Sequence, residues 1–204
     1  MDYFTSFKNL TEIVKKYELF YDLRPIIPEA RAEVLLPKLL NEQIQFNLTE
    51  TIYDASEAAI CESIIYPILQ EVWKEFKDRL QLWSHTGIDA DEIIAGIPDY
   101  VIAKKSEFGR ILGTPLLATI EAKKDNFDEG WTQCTAQLLA MQKLNQKEQD
   151  YVLYGIVSNG EQWEFGQLHQ NKLLRHPKSF SVFELSELYT VIHYVLGRCY
   201  EQVK

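Results

Sequence analysis

The chain has 204 residues, 46% hydrophobic and 25% charged, which fits one globular domain with or without an appended arm. No segment approaches the ~20 consecutive apolar residues of a membrane-spanning helix, and Met1-Asp2-Tyr3-Phe4-Thr5 lacks a signal peptide's basic start and apolar core, so a cytoplasmic protein with no membrane partner is expected. The net charge of −9 argues against a broad nucleic-acid interface, and three scattered cysteines with four histidines at no ligand spacing argue against a disulfide framework or a zinc site.

Residues 1–20 predict a helix, because Phe4, Phe7, Leu10, Ile13, Val14 and Leu19 recur near helical spacing. Pro25 and Pro28 mark a break. A second helix is predicted from about Glu29 to Leu40, and Asn47 to Thr51 reads as a turn. Residues 1–50 thus read as an N-terminal helical arm and 51–204 as the main domain. Ser56 can cap a helix starting at Glu57, and Pro67 inside its apolar stripe predicts a kink or a split. Leu80 to Trp83 reads as a first strand. Ile93 and Ile94, then Ile97 to Ala103, read as the second, and Leu116 to Ala122 as the third. A helix from Trp131 to about Asn145 follows. Tyr151 to Val157 is a buried strand, turned at Asn159-Gly160 and returning through Trp163 to Gly166. Phe180 to Phe183 reads as a short edge strand, and the last helix as Ser186 to Val203. This order predicts an α/β fold with a central mixed sheet, an antiparallel hairpin and a helical crossover, flanked by helices.

The chemistry concentrates on two of these strands. Asp99 follows Pro98 at the head of one apolar run, and Glu121 ends another, 22 residues later. Gly109 and Gly113 lie between, as in a hairpin with a long connection. Lys123 shares a face with Glu121, because strand side chains alternate with period 2. Leu116, Leu117, Ala118 and Ile120 show little alternation, so this strand is buried on both faces. Glu and Lys are almost never buried unpaired. A hard divalent cation, Mg²⁺ or Mn²⁺, held by Asp99 and Glu121 would account for charges at the edge of a core. The plainer alternative makes Asp99 a turn residue and Glu121–Lys123 a surface pair. Trp131 and Trp163 read as core residues ahead of base-stacking ones.

Pro98-Asp99 followed by Glu121-Ala122-Lys123, each acid preceded by an apolar residue, resembles the PD-(D/E)XK nuclease superfamily, with its restriction-endonuclease-like core. That family also carries an acid on a helix before the first strand. Glu57, ten residues before Pro67, looks like the Glu of the helix opening the nuclease domain of type I restriction motor subunits. Glu62 competes with it; five residues apart, or about 140° around a helix, the two cannot both face one metal. The family often has a Gln on the helix after the lysine strand, and Gln133, ahead of Gln137, is taken for that place. The resemblance covers roughly residues 50 to 170. It implies a Mg²⁺-dependent nuclease in which Asp99, Glu121 and the Ala122 carbonyl hold the metal. Lys123 would act on the attacking water, and Glu57 would orient a metal-bound water or hold a second ion.

Charge is uneven: residues 1–98 hold 9 Lys/Arg and 17 Asp/Glu, whereas residues 99–204 hold 12 and 13. Lys104, Lys105, Arg110 and Lys124 are expected near the site as phosphate contacts, with Lys172, Arg175 and Lys178 as a second group. The expected partner is nucleic acid, DNA ahead of RNA. An acidic chain that binds it weakly calls for a homodimer or a larger defence or repair complex. The alternative function is a non-cleaving subunit of the same fold, used as a binding or scaffold module.

Overall fold

A computed structural model describes residues 7–90, 95–145 and 150–204, so the expectations on Phe4, Ile93 and Ile94 lie outside the described residues. Helix α1 (Leu10–Lys16) starts where the Asn9 side chain accepts the Glu12 N–H. The chain then enters strand β1 (Phe20–Leu23), which pairs in parallel with residues 172–175. The first 50 residues are therefore not a wholly helical arm, since they supply an edge strand to the sheet. Helix α2 (Lys38–Glu50) begins directly after Pro37, not at Glu29. A proline ring clashes with the preceding turn of a helix and disfavours helical backbone in the residue before it. The turn expected from Asn47 is instead the last turn of α2.

Ser56 caps the next helix through the Ala59 N–H. That helix runs as α3 (Glu57–Ile60), a π-helical turn (Cys61–Ile65) and α4 (Tyr66–Trp73). Pro67 explains the irregular turn. It has no N–H to offer Ser63, four residues back. The Tyr66 N–H bonds to Cys61, five residues back, and the Ser63 carbonyl accepts the Asn47 side-chain amide at 2.6 Å.

The remaining elements are β2 (Leu80–Ser84), β3 (Ile88–Asp89), β4 (Ala95–Gly96), β5 (Tyr100–Lys104), β6 (Leu116–Ala122), α5 (Phe127–Leu144), β7 (Leu153–Ser158), β8 (Gln162–His169), β9 (Lys172–Arg175), β10 (Phe180–Ser181) and α6 (Leu185–Glu201). An eight-stranded sheet runs in the order β1-β9-β8-β7-β6-β5-β2, with β10 on β8. Its β1/β9 and β6/β7 pairs are parallel and its other pairs antiparallel, so the fold is α/β with a mixed sheet. Helix α5 makes the crossover that the parallel β6/β7 pair requires. Among the described residues, no helix is long and apolar enough to cross a membrane.

Two apolar layers cover the sheet. One joins α2, the 57–73 helix and α6 to Tyr100, Ile102, Ile120 and Ile156. The other joins α1 and α5 to Val101, Ala103 and Val157. Trp131 of α5 is fully buried in the second, as Trp163 is in the first. Gly166 makes room for Trp131, since a Cβ there would lie 2.6 Å from its ring, and Gly155 makes room for Cys134, whose Sγ would lie 2.6 Å from a Cβ. Its indole N–H donates to Glu164, and the Arg175 guanidinium stacks 4.5 Å from the ring centroid.

The amide brace on the π-helical turn is testable. Asn47→Ala strips the partly buried Ser63 carbonyl of its donor and is expected to lower stability by about 1 kcal/mol in urea unfolding. Adding Pro67→Ala returns an N–H to that carbonyl, so the double variant should recover part of the loss. Simple additivity of the two changes would show that Asn47 and Pro67 are not coupled.

Candidate functional site

The site forms where three elements meet at one end of the sheet. Strands β5 and β6 are antiparallel with Tyr100 opposite Ile120, so Asp99 falls opposite Glu121. The Asp99 Oδ2 accepts the Ala122 N–H at 2.7 Å, which locks the two strand ends together. Glu121 and Lys123 share the face covered by α5, and Lys123 Nζ lies 3.2 Å from Glu121 Oε1. Glu57 comes from the other face, at the head of α3. Its Oε2 lies 3.7 Å from Lys123 Nζ, and its Oε1 accepts the Lys124 N–H at 3.4 Å. Both helix acids are exposed, and Glu57 is the one whose carboxylate meets Lys123.

Helix α5 supports this cluster in two places. Gln137 donates to Glu121 Oε2 at 2.6 Å while accepting the Thr119 hydroxyl. Gln133, the sequence-based choice, does not make this contact: it is buried and its Oε1 has no hydrogen-bond partner. One turn earlier in the helix, Gly130 packs against the lysine stem. A Cβ there would come within 3.1 Å of Lys123 Cγ and 2.6 Å of Val157 Cγ1. The Lys123 N–H is fixed by the Ser158 carbonyl.

Sequence reasoning missed His85. It directly follows β2, which pairs with β5, and has φ +48, a conformation non-glycine residues rarely adopt. Its N–H donates to the Asp99 carbonyl at 2.9 Å, and its Nε2 lies 3.5 Å from Asp99 Oδ1. Ser84 Oγ lies 2.8 Å from Nδ1. No residue spacing announces this placement, which depends on β2 pairing with β5.

The basic residues are corrected by the hairpin itself. Lys104, Lys105 and Arg110 do not lie near the site. They sit at the far end of β5, about 17 Å from Asp99 at the rise of an extended strand. Lys124 is the exposed lysine adjoining the cluster. In the second basic group, Arg175 pairs with Glu164 and Lys178 with Glu187, so their charge is largely compensated.

Charge at the site is unbalanced. Glu57, Asp99 and Glu121 face one ammonium. Burial raises the Asp99 pKa, against the Ala122 N–H and the His85 and Lys123 charges. Burial, then the Asp99 charge, raises Glu121 from its ordinary 4.5 to about 7. Burial alone would lower the Lys123 pKa, but the Glu121 and Glu57 charges outweigh it and the net shift is upward. The neighbouring Cys61 thiol is buried and pushed up to about 12, so it is no nucleophile.

Two carboxylates with surplus negative charge, at the edge of a dry core, fit a hard divalent cation. Mg²⁺ usually takes only one or two protein carboxylates and keeps several waters. Among the described residues, no group of three or more His, Cys, Asp or Glu side chains stands ready to hold a metal, so Asp99 and Glu121 would have to serve with water or main-chain oxygens. Cavities of about 400 and 650 Å³ lie elsewhere, the first beside Tyr17 and Tyr151 and the second beside Arg31 and Thr190. The cluster opens at Glu57 and His85, whose side chains are 48% and 57% exposed, so an extended substrate has access. No protein-family model matches the chain, and no curated protein matches it.

The raised Glu121 pKa has a definite sign. Between pH 4.5 and about 7 the folded chain keeps a proton that the unfolded chain has released, so this group lowers stability as pH rises through that window and adds no slope above it. Thermal unfolding of metal-free wild type and Glu121→Gln across pH 4 to 8 isolates the effect, at about the same protein concentration. The wild type should lose stability relative to the variant as pH rises. Parallel curves would mean that Glu121 titrates normally.

Proposed function

We propose that this chain is a Mg²⁺-dependent phosphodiesterase with a restriction-endonuclease-like core, a PD-(D/E)XK nuclease acting on nucleic acid, with DNA ahead of RNA. The observation that carries the reading is the convergence of Asp99, Glu121 and Lys123 from paired strands, with Glu57 reaching the same ammonium from a helix. A plain surface ion pair needs neither the second, half-buried carboxylate opposite nor the glutamine brace behind.

Asp99 and Glu121 would hold the cation. When bound, it supplies Lewis-acid stabilisation of charge on a phosphate and lowers the pKa of water. Asp99 is oriented for this by the Ala122 N–H and by His85, and Glu121 by Gln137. Lys123 is bonded to Glu121 in the ground state. With the Glu121 charge met by a bound cation, Lys123 would be free to orient the attacking water and to meet the charge growing on the phosphoryl oxygens. Glu57 keeps the ammonium on the open side of the cluster.

Calorimetry with Mg²⁺ and Mn²⁺ separates the roles. Asp99→Ala should lose metal binding and cleavage together. Lys123→Ala should keep or gain metal affinity, because it frees Glu121, while cleavage of a fluorescent oligonucleotide falls by about 10²-fold or more. Equal loss of metal affinity in both variants contradicts this division. Metal-independent behaviour of the wild type would instead favour the non-cleaving scaffold role.

A further inference from the structure

The connection between β5 and β6 is built as a projecting tip. Its neck is pinched at Gly113, where a Cβ would lie 2.4 Å from the Lys104 carbonyl oxygen and 3.3 Å from the Ser106 nitrogen. Gly109 takes φ +82, and the Phe108 N–H donates to Ser106 Oγ, which turns the tip back on itself. The tip carries two large apolar side chains out of the core: Phe108 is 84% exposed and Ile111 59%.

Basic residues lie around its base. Lys105 N–H donates to the Arg79 carbonyl and Lys105 Nζ to the Lys77 carbonyl, so the segment before β2 flanks the tip. Lys77 and Arg79 before β2, and Lys104, Lys105 and Arg110 of the connection, are interrupted in sequence by Asp78 and Glu107. Asp78 is already occupied by the Tyr200 hydroxyl and Arg79. Lys77, Lys104, Lys105 and Arg110 have no carboxylate within salt-bridge distance among the described residues. On a chain of net charge −9, a basic pole with two outward apolar side chains marks a surface for an anionic partner.

We infer that this tip is a nucleic-acid anchor, separate from the proposed catalytic cluster, in which Lys77, Lys104, Lys105 and Arg110 take phosphates while Phe108 and Ile111 press against bases or sugar. The identity of the polymer rests on the proposed function; the anchor itself does not. The base of the tip, at Lys104, and the cluster stand at opposite ends of one strand, about 17 Å apart, which matches about five phosphate steps at 3.4 Å each. One polymer can therefore span both. A flat anionic bilayer meeting the tip would face a chain of net charge −9, and nothing would link it to the cluster. Apolar wedges and aromatic faces are common companions of basic residues on nucleic acids.

The test uses the full chain without metal, so that binding is read apart from cleavage. The probes are fluorescein-labelled duplex and single-stranded DNA of about 30 nucleotides, followed by anisotropy over a salt series. Lys104→Glu/Lys105→Glu/Arg110→Glu should weaken binding by about tenfold or more at low salt and flatten the log–log salt slope by about 2 to 3. Phe108→Ser/Ile111→Ser should weaken binding by about threefold to tenfold with the slope kept. The same three basic positions changed to Gln check that charge, not a local rearrangement, is responsible. Unchanged affinity and slope in the charge variants overturns the anchor, as does failure of the unaltered chain to bind DNA. Binding to phosphatidylserine vesicles in place of DNA, lost in the charge variant, also overturns it. Loss of DNA binding in tip variants of a chain that binds no Mg²⁺ and cleaves nothing would sink the catalytic reading and leave the anchor standing. Unchanged DNA binding with intact cleavage would do the reverse.

Discussion

The Glu121 carboxylate is held almost out of water between an ammonium and an amide, with a second carboxylate opposite it. Desolvating one anion is costly, and setting another beside it without full compensation is costlier still. The surrounding structure is arranged around holding that carboxylate. β6 is buried on both faces and gives its end no freedom. Gln137 and Lys123 take one oxygen each, and the Asp99 carboxylate is tied to the main chain one residue beyond. A folded state that accepts this strain in its electrostatics favours whatever compensates the negative charge, as the raised Glu121 pKa shows for a proton. The cluster is thus less a set of side chains that happen to meet than a surplus of negative charge enclosed by rigid elements.

That enclosure draws on both layers of the fold. Helix α5 lies on one side of the sheet and braces Glu121. The 57–73 helix lies on the other and sends Glu57 round the sheet's end. Neither helix could do this if its own backbone were unsettled. The first is capped by Asn126, which accepts the Glu129 N–H, and the second by Ser56. The proline that breaks the second helix is compensated within α2, so the N-terminal region is part of the machinery that positions Glu57.

Much of this is legible in the residues, for physical reasons. Asp99, Glu121 and Lys123 follow from apolar runs, strand alternation and one hairpin, which are local features. Ser56 marks the helix start, but the choice of Glu57 over Glu62 rests on the resemblance, through its ten-residue spacing to Pro67. The failures are non-local. Strand β1 is a short, mostly exposed edge strand whose partner lies some 150 residues away, so neither burial nor alternation betrays it. Gln133 and Gln137 are one turn apart, and which of them reaches Glu121 depends on how far the loop after β6 slides α5 along the strand. His85 gains its place only through β2 pairing with β5. The misplacement of Lys104, Lys105 and Arg110 has a different origin. The antiparallel hairpin that sets Asp99 opposite Glu121 must also carry the connection to the far end of β5.

Gly130 and Gln137 are seven residues apart on α5, about 20° short of two full turns. Both therefore face the sheet, one against the stem of Lys123 and the other against Glu121. This interval acts as a ruler. One inserted residue between them would rotate the amide by about 100° away from the carboxylate while leaving the glycine in place. A longer helix on the C-terminal side of Gln137 would disturb neither. Length changes in α5 are thus tolerable on one side of a sharp boundary, and the boundary is set by helical phase.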